Sequence, residues 1–289
     1  MIPTRRDLKF HLPLEAASHW HHEGAVLTHF INAMSLTFPE GERFFIHTLR
    51  HYRDRIEDPL LQEAVTAFIG QEAMHGREHA EYNALLSQVG LPAEEIEAEV
   101  TSFFKALKAW LPPAAQLSIT IAQEHFTAIV AEALLRDPAL IAGADPRLAA
   151  LWRWHALEEI EHKAVAFDVY ETSVGRSLPA YALRTTSMLT TTAGFLLMVL
   201  WCQGRMMIAD QRAGARKGVR SFLKVMLSPR SGLVRRLAGP WLEYFKPEFH
   251  PWDHDNGELL EEMERLVERL NGSPDNASAA AAEPLRAVA

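Results

Sequence analysis

Trp154-His155-Ala156-Leu157-Glu158-Glu159-Ile160-Glu161-His162-Lys163 sets an acid and an imidazole one helical turn apart, at Glu159 and His162. An α-helix rises about 1.5 Å per residue, so positions i and i+3 lie about 4.5 Å apart along the axis, on one face. Both side chains can therefore reach a single metal ion. His155, four residues before Glu159, shares that face. One Glu-x-x-His is weak evidence, because these residue types meet by chance on many solvated helices. Glu72-Ala73-Met74-His75 is a second copy, in another long helical segment.

Two Glu-x-x-His helices, with one inward glutamate from each of two further helices, form the ligand recipe of ferritin-like dimetal carboxylate proteins. The remaining chain is read for those two glutamates. From Glu23 the pattern is helical through Val26, Phe30, Ala33 and Met34, and Pro39 interrupts it and opens a new run. Glu42 shares a face with Phe38, Phe45, Ile46 and Leu49, a stripe that holds a carboxylate only if its charge is compensated. Glu40 faces His47 and His51, near the expected helix start, where it suits the helix dipole. Pro59 opens a helix to about Val89, stopped by Gly90. Its stripe of Leu61, Val65, Phe68 and Ile69 continues into Glu72, His75 and His79. His79 reads as a neighbour of the ligands or a pocket residue.

Residues 92–110 form an amphipathic connecting helix, stopped by Pro112-Pro113. The next helix runs to about Arg136. In it Glu124 is the fourth-helix carboxylate, Glu132 the fallback, and His125 a packing or surface residue. A loop follows, and then one helix from about Pro146 to Ser173 carries the opening motif. Glu158 and Glu161 read as exposed helix charges. The separation of Glu42 from Glu72 nearly equals that of Glu124 from His155, a pseudo-repeat of two helical hairpins. The candidate metal ligands are Glu42, Glu72, His75, Glu124, His155, Glu159 and His162, with no catalytic residue named beyond them. Four carboxylates neutralise two divalent ions, which makes burial tolerable. Carboxylate and imidazole donors with no nearby cysteine suit two iron ions, with manganese or zinc as alternatives.

The pattern His155-x-x-x-Glu159-x-x-His162 with Glu72-x-x-His75, Glu124 and Glu42 resembles the seven-ligand set of the p-aminobenzoate N-oxygenase group of di-iron proteins. In that group an extra histidine binds one iron, placed as His155 is here. Residues 25–175, with Phe-Pro-x-Gly-Glu and Glu-Glu-x-Glu-His-Lys, also resemble a bacterial family labelled predicted metal-dependent hydrolase. The first resemblance implies an oxygenase that activates O2 to oxidise a small organic substrate such as an amine, with an electron donor. The second implies hydrolysis by a metal-activated water, and it is the alternative. An iron store lacks the sequence sign of a cage.

Composition sets the outer bounds. The chain has 289 residues, 48% hydrophobic, with a net charge of −8 and pI near 6.0. That argues against general nucleic-acid binding, and the expected partner is the small-molecule substrate that the resemblance implies. One cysteine, Cys202, allows no intramolecular disulfide, and Met1 to Pro13 shows no secretory signal, so a cytoplasmic location is expected. The predicted class is all-α: a ferritin-like four-helix bundle with a dimetal centre, plus additional C-terminal helices. The expected divisions are an N-terminal arm at 1–22, the bundle at 23–175, a helical extension at 176–271 and a disordered tail at 272–289. Thr185 to Gly204 has no charged residue and reads as a buried helix or a subunit contact, which would make a homodimer. The alternative is membrane association through 185–236, because a basic stretch from Arg205 to Arg236 follows the apolar helix. Pro240 to Trp252 is aromatic and proline-rich and is expected to cover the bundle. His250, Asp253, His254 and Asp255 are ligand types in an irregular segment, a weak second metal candidate. A last helix is expected over Glu258–Leu270.

Overall fold

The structure is a computed structural model that describes residues 1–17, 19–137, 140–141, 143–210 and 218–272. It is all-α, with no strand among the described residues. The helices are α1 (Ala25–Arg53), α2 (Pro59–Gln88), α3 (Ala93–Trp110), α4 (Pro113–Arg136), α5 (Pro146–His162), α6 (Val165–Ser173), α7 (Leu178–Ala209), α8 (Val219–Leu227), α9 (Leu233–Glu243) and α10 (Glu261–Gly272). Proline occupies the first turn of α2, α4 and α5, where its missing N–H leaves no bond unmade. Asp58, Asp145 and Ser177 accept backbone N–H bonds at the starts of α2, α5 and α7. Gly90, at φ +88°, ends α2 in the left-handed conformation, and Leu91 N donates back to Leu86 O.

Helix α1 packs along α2, and α4 along α5, with further contacts of α1 with α4 and α2 with α5. Helix α3 lies across α1 and α2, and α7 crosses α1 and α4. Two apolar clusters form. One holds Trp154, Leu151, Tyr82 and Leu36, and the other holds Phe44, Phe68, Leu117 and Tyr170. Between them lies a polar layer: His75 packs edge-on to Trp154, and His162 edge-on to Phe68. The segment before α1 is irregular apart from a short turn at Leu14–Ala16, yet it buries Leu8, Phe10 and Trp20.

Two helix boundaries differ from the sequence expectation. Pro39 does not start a helix but lies inside the 29 residues of α1. A proline there has no N–H for the carbonyl of Ser35, one turn back. Asn83 of α2 supplies the missing donor, with Nδ2 at 3.1 Å from Ser35 O. The helix expected over 146–173 is two, α5 and α6, parted at Lys163-Ala164. The Lys163 ammonium is pulled to the C-terminal segment, donating to His254 O (2.7 Å) and Asn256 Oδ1 (2.6 Å) over the Trp252 ring. The tail expected to be disordered lies, from residue 273 onward, outside the described residues, as do Arg212, Arg216 and Lys217 of the basic stretch.

Candidate metal centre

All seven sequence candidates lie in the polar layer, none more than 5% exposed. They form three overlapping groups whose donor atoms lie within 4.8 Å of one another: Glu42 with His75 and His155, Glu72 with His75 and Glu159, and Glu72 with Glu124 and His162. Glu159 sits at the middle. Its Oε1 is 3.2 Å from His155 Nε2, 3.5 Å from His162 Nε2 and 3.7 Å from His75 Nδ1. His162 Nε2 is also 3.2 Å from Glu72 Oε1 and 3.4 Å from Glu124 Oε2. Thr127 donates to the other Glu159 oxygen. Gly76 makes room for Glu42, since a Cβ there would stand 3.1 Å from Glu42 Oε2.

This donor set fits metal ions on an observation independent of the motifs. Both carboxylate oxygens of Glu42, Glu72 and Glu124, together with His75 Nδ1 and His162 Nε2, are buried without a hydrogen-bond partner. One such atom costs about 1–3 kcal/mol, so eight in one layer rival the whole stability of a domain. Cations bound between them would satisfy all eight. Without one, protons must do so. Burial raises the Glu42 and Glu72 carboxyls well above the ordinary range, and the neighbouring carboxylates raise them further. Burial likewise brings Glu124 up to about 7. Burial acts the same way on Glu159, but His162 and His155 outweigh it and hold this carboxyl well below its usual value. Burial would lower His162, but Glu159 and Glu124 outweigh it and raise this imidazole.

Each imidazole is oriented by a bond on its far side. His75 Nε2 donates to Glu158 Oε2 at 3.0 Å, which leaves Nδ1 toward the centre. Gln71 donates through Nε2 to Glu161 Oε2 at 2.6 Å, so its Oε1, 3.0 Å from His162 Nδ1, accepts from that ring. The third chain is longer. Ser35 donates to Asn83 Oδ1 at 2.7 Å, so its oxygen accepts from His79 Nδ1 at 2.9 Å. His79 Nε2 is then the acceptor for His155 Nδ1 at 2.9 Å. Burial holds His79 well below the usual imidazole value, which keeps it neutral, as this chain requires. These bonds leave His75 Nδ1, His155 Nε2 and His162 Nε2 facing the centre as the nitrogens a metal would take, and at His162, whose imidazole is raised, a proton must leave as the ion binds.

Glu158 and Glu161, expected as exposed charges, are buried instead. Arg6 of the N-terminal segment covers them, 3.1 Å from Glu158 Oε1 and 2.7 Å from Glu161 Oε2. Burial brings the Glu158 carboxyl up to about 7, against the pull of Arg6. Arg6 and Gln71 carry no motif, and the sequence offers no signal for either. Glu40 lies mid-helix, not at a helix start, and accepts from Arg43 and Thr101. Glu132 points away from the centre to Arg136, His254 and Asn256. His125 packs against Tyr244 and Phe249 and bonds Pro240 O. The second candidate group does not assemble. His250 and Asp253 cap a short turn, His250 also bonds Asp168, and His254 bonds Glu132. A cluster that sequence spacing could not show is His19, His29 and Asp210, with both imidazole Nε2 atoms 2.8 Å from one Asp210 oxygen.

Two cavities reach the His155 and Glu159 side of the centre. One, of about 200 Å³, opens between α3 and α7 and touches Glu42, Phe45, Phe104 and Thr191. The other, of about 90 Å³, runs among α1, α4 and α8, past Met34, Val130 and Met226. Phe38, Thr127 and Phe195 line both. Apart from the centre itself, the polar groups of the larger cavity are threonines and Gln123.

No curated protein and no solved structure matches this chain. The family model described as predicted metal-dependent hydrolase matches residues 4–255, a span that takes in Arg6, the seven converging side chains and both cavities, and the chain belongs to that family.

Proposed function

We propose that Glu42, Glu72, His75, Glu124, His155, Glu159 and His162 hold two metal ions in a ferritin-like arrangement of α1, α2, α4 and α5, and that the centre oxidises a small apolar substrate with O2. The observation that carries this reading is the junction of a carboxylate-rich, imidazole-completed donor set with an apolar cavity at His155 and Glu159. Two iron ions in such a set supply O2 activation and electron transfer when bound, with an external electron donor. The chain's own residues do the rest. Glu42, Glu72, Glu124 and Glu159 balance the ionic charge in a layer that excludes water. Gln71, His79 and Glu158 hold the three imidazole protons on the outward nitrogens. Phe38, Phe104 and Phe195 line the space where an apolar molecule would sit against the centre.

Metal-assisted hydrolysis is the second reading, and the family description favours it. A hydrolase polarises a carbonyl or phosphoryl oxygen and then protonates a leaving group. His79 stands behind the cavity wall, packed edge-on to Phe38, and it is already bonded to both Ser35 and His155. That leaves the threonines and Gln123 as the polar groups facing a substrate, which suits an unactivated apolar molecule better than an ester.

Metal analysis of protein purified without added metal separates the two. Iron at about two per chain, with an absorption change when the reduced protein meets O2, is the expected result. Zinc or manganese with ester hydrolysis and no response to O2 would select the hydrolase.

A further inference from the structure

Helix α7 has two unlike faces. Its inner face buries Met188, Val199, Cys202 and Met206. Gln203 Nε2 donates to Val26 O at 2.9 Å, and the buried Arg184 donates to Lys246 O at 2.8 Å. Its outer face leaves Leu189, Leu196, Leu197, Leu200 and Trp201 exposed, with Leu197 at 69%. These positions follow helical spacing, so they form one continuous apolar stripe. Helices α8 and α9 adjoin α7: Phe195 of α7 lines the smaller cavity together with Val225 and Met226 of α8 and Leu233 of α9, and Trp241 of α9 donates to Thr192 of α7 at 3.0 Å. They too leave leucines exposed, Leu223, Leu227 and Leu242, beside the exposed cations Arg220, Lys224 and Arg235. Between residues 178 and 242 the chain carries ten Lys and Arg and a single acid, Asp210, although its net charge is −8, and of these cations Arg220, Lys224, Arg230 and Arg235 are exposed along α8, α9 and the turn between them.

We propose that the α7–α9 face docks on an anionic phospholipid surface, with the leucines in the acyl boundary and the cations at the headgroups. The charge chooses this occupant. Two copies of a cationic face would repel each other across a two-fold axis. Crossing the bilayer would require α7, which is long and apolar enough by length and composition, to leave α1 and α4 and unpair Gln203 and Arg184. The larger cavity opens beside this face, lined by Thr190 and Gly194 of α7, both exposed. Resting on the proposed function, the surface would then deliver a lipophilic substrate to the centre without passage through water.

Co-sedimentation of the full metal-loaded chain with vesicles tests this. Vesicles of phosphatidylcholine with phosphatidylglycerol should retain the protein, pure phosphatidylcholine should retain less, and added salt should release it. The double variant Leu197→Glu, Leu200→Glu should keep its helicity and metal content and lose at least tenfold in binding. Arg220→Ala and Lys224→Ala should each lose about fivefold, the worth of one cation near an anionic surface. No binding to the mixed vesicles, or equal binding by the leucine variant, overturns the proposal. So does a dimer that the leucine variant turns into a monomer while vesicle binding stays absent, since a second copy would then own the face. Unchanged metal content in every variant separates these outcomes from failure of the metal reading.

Discussion

The two Glu-x-x-His turns are alike in sequence and differ in what stands behind them. In α2, His75 turns Nδ1 inward, and its outer nitrogen is held by the Glu158 carboxylate. In α5, His162 turns Nε2 inward, and its outer nitrogen is held by the neutral Gln71 amide. A carboxylate behind an imidazole makes it more basic as well as orienting it, whereas an amide only orients it. The His75 half of the centre is thus set by charge and the His162 half by geometry. One residue ties the halves together: Arg6 contacts Glu158 directly and reaches Gln71 through Glu161.

The largest expected effect strikes both halves at once. Glu159→Ala removes the carboxylate that lies near all three imidazoles and should strip most of the bound metal, while His155→Ala should keep at least one ion. Equal metal content in the two variants, by elemental analysis, would sink the idea that Glu159 joins the halves. Chelating the metal from the wild type should lower its melting temperature by about 10 °C, the loss expected of a tightly bound ligand in a chain of this size.

The comparison itself is broken or sharpened by Glu158→Gln, which keeps the shape and removes the charge. Metal affinity should fall about 10- to 100-fold, the usual cost of losing such a partner. The metal-free protein adds a pH signature. The folded Glu158 carboxyl is raised to about 7, above its unfolded value, so its contribution is fully present below about pH 4.3 and is lost as pH rises through 7. Urea unfolding at pH 5 and pH 8 should show a loss of roughly 2 kcal/mol more in the chelated wild type than in the glutamine variant. Parallel pH dependence in both proteins would remove Glu158 as the titrating group.

Gln71→Leu should cost less, about tenfold in affinity or below, with no change in that pH slope, because an orienting bond is lost and no charge. A loss as large as that of Glu158→Gln would erase the distinction between the halves. The smallest effect belongs to Gly76→Ala. Its Cβ would press on Glu42 Oε2, so metal affinity should drop a few-fold. The chelated protein should gain up to about 1 kcal/mol from the better helix former. Opposite signs from one substitution, read by titration and by unfolding, would locate the crowding at Glu42.

Much of this centre was legible in the chain. Helical spacing put Glu72 with His75, and His155 with Glu159 and His162, and it set Glu42 and Glu124 on apolar stripes. The structure brings those seven side chains into one layer. Spacing failed where a distant segment decides a residue's surroundings. Glu158 and Glu161 read as solvated charges because nothing nearby in sequence shows Arg6 folding over them. Pro39 reads as a helix start because the donor that lets the helix continue, Asn83, comes from another helix.

The sequence by itself determined the all-α class and which donors share a helix face, since both follow from local periodicity and the residue types along one turn. The tertiary structure alone decided which imidazole nitrogen faces the centre, which carboxylates are buried behind it, and that α7 keeps one apolar face outside. Each of these depends on a partner far along the chain, and burial and hydrogen bonding are properties of the packed assembly, not of the turn that presents the residue.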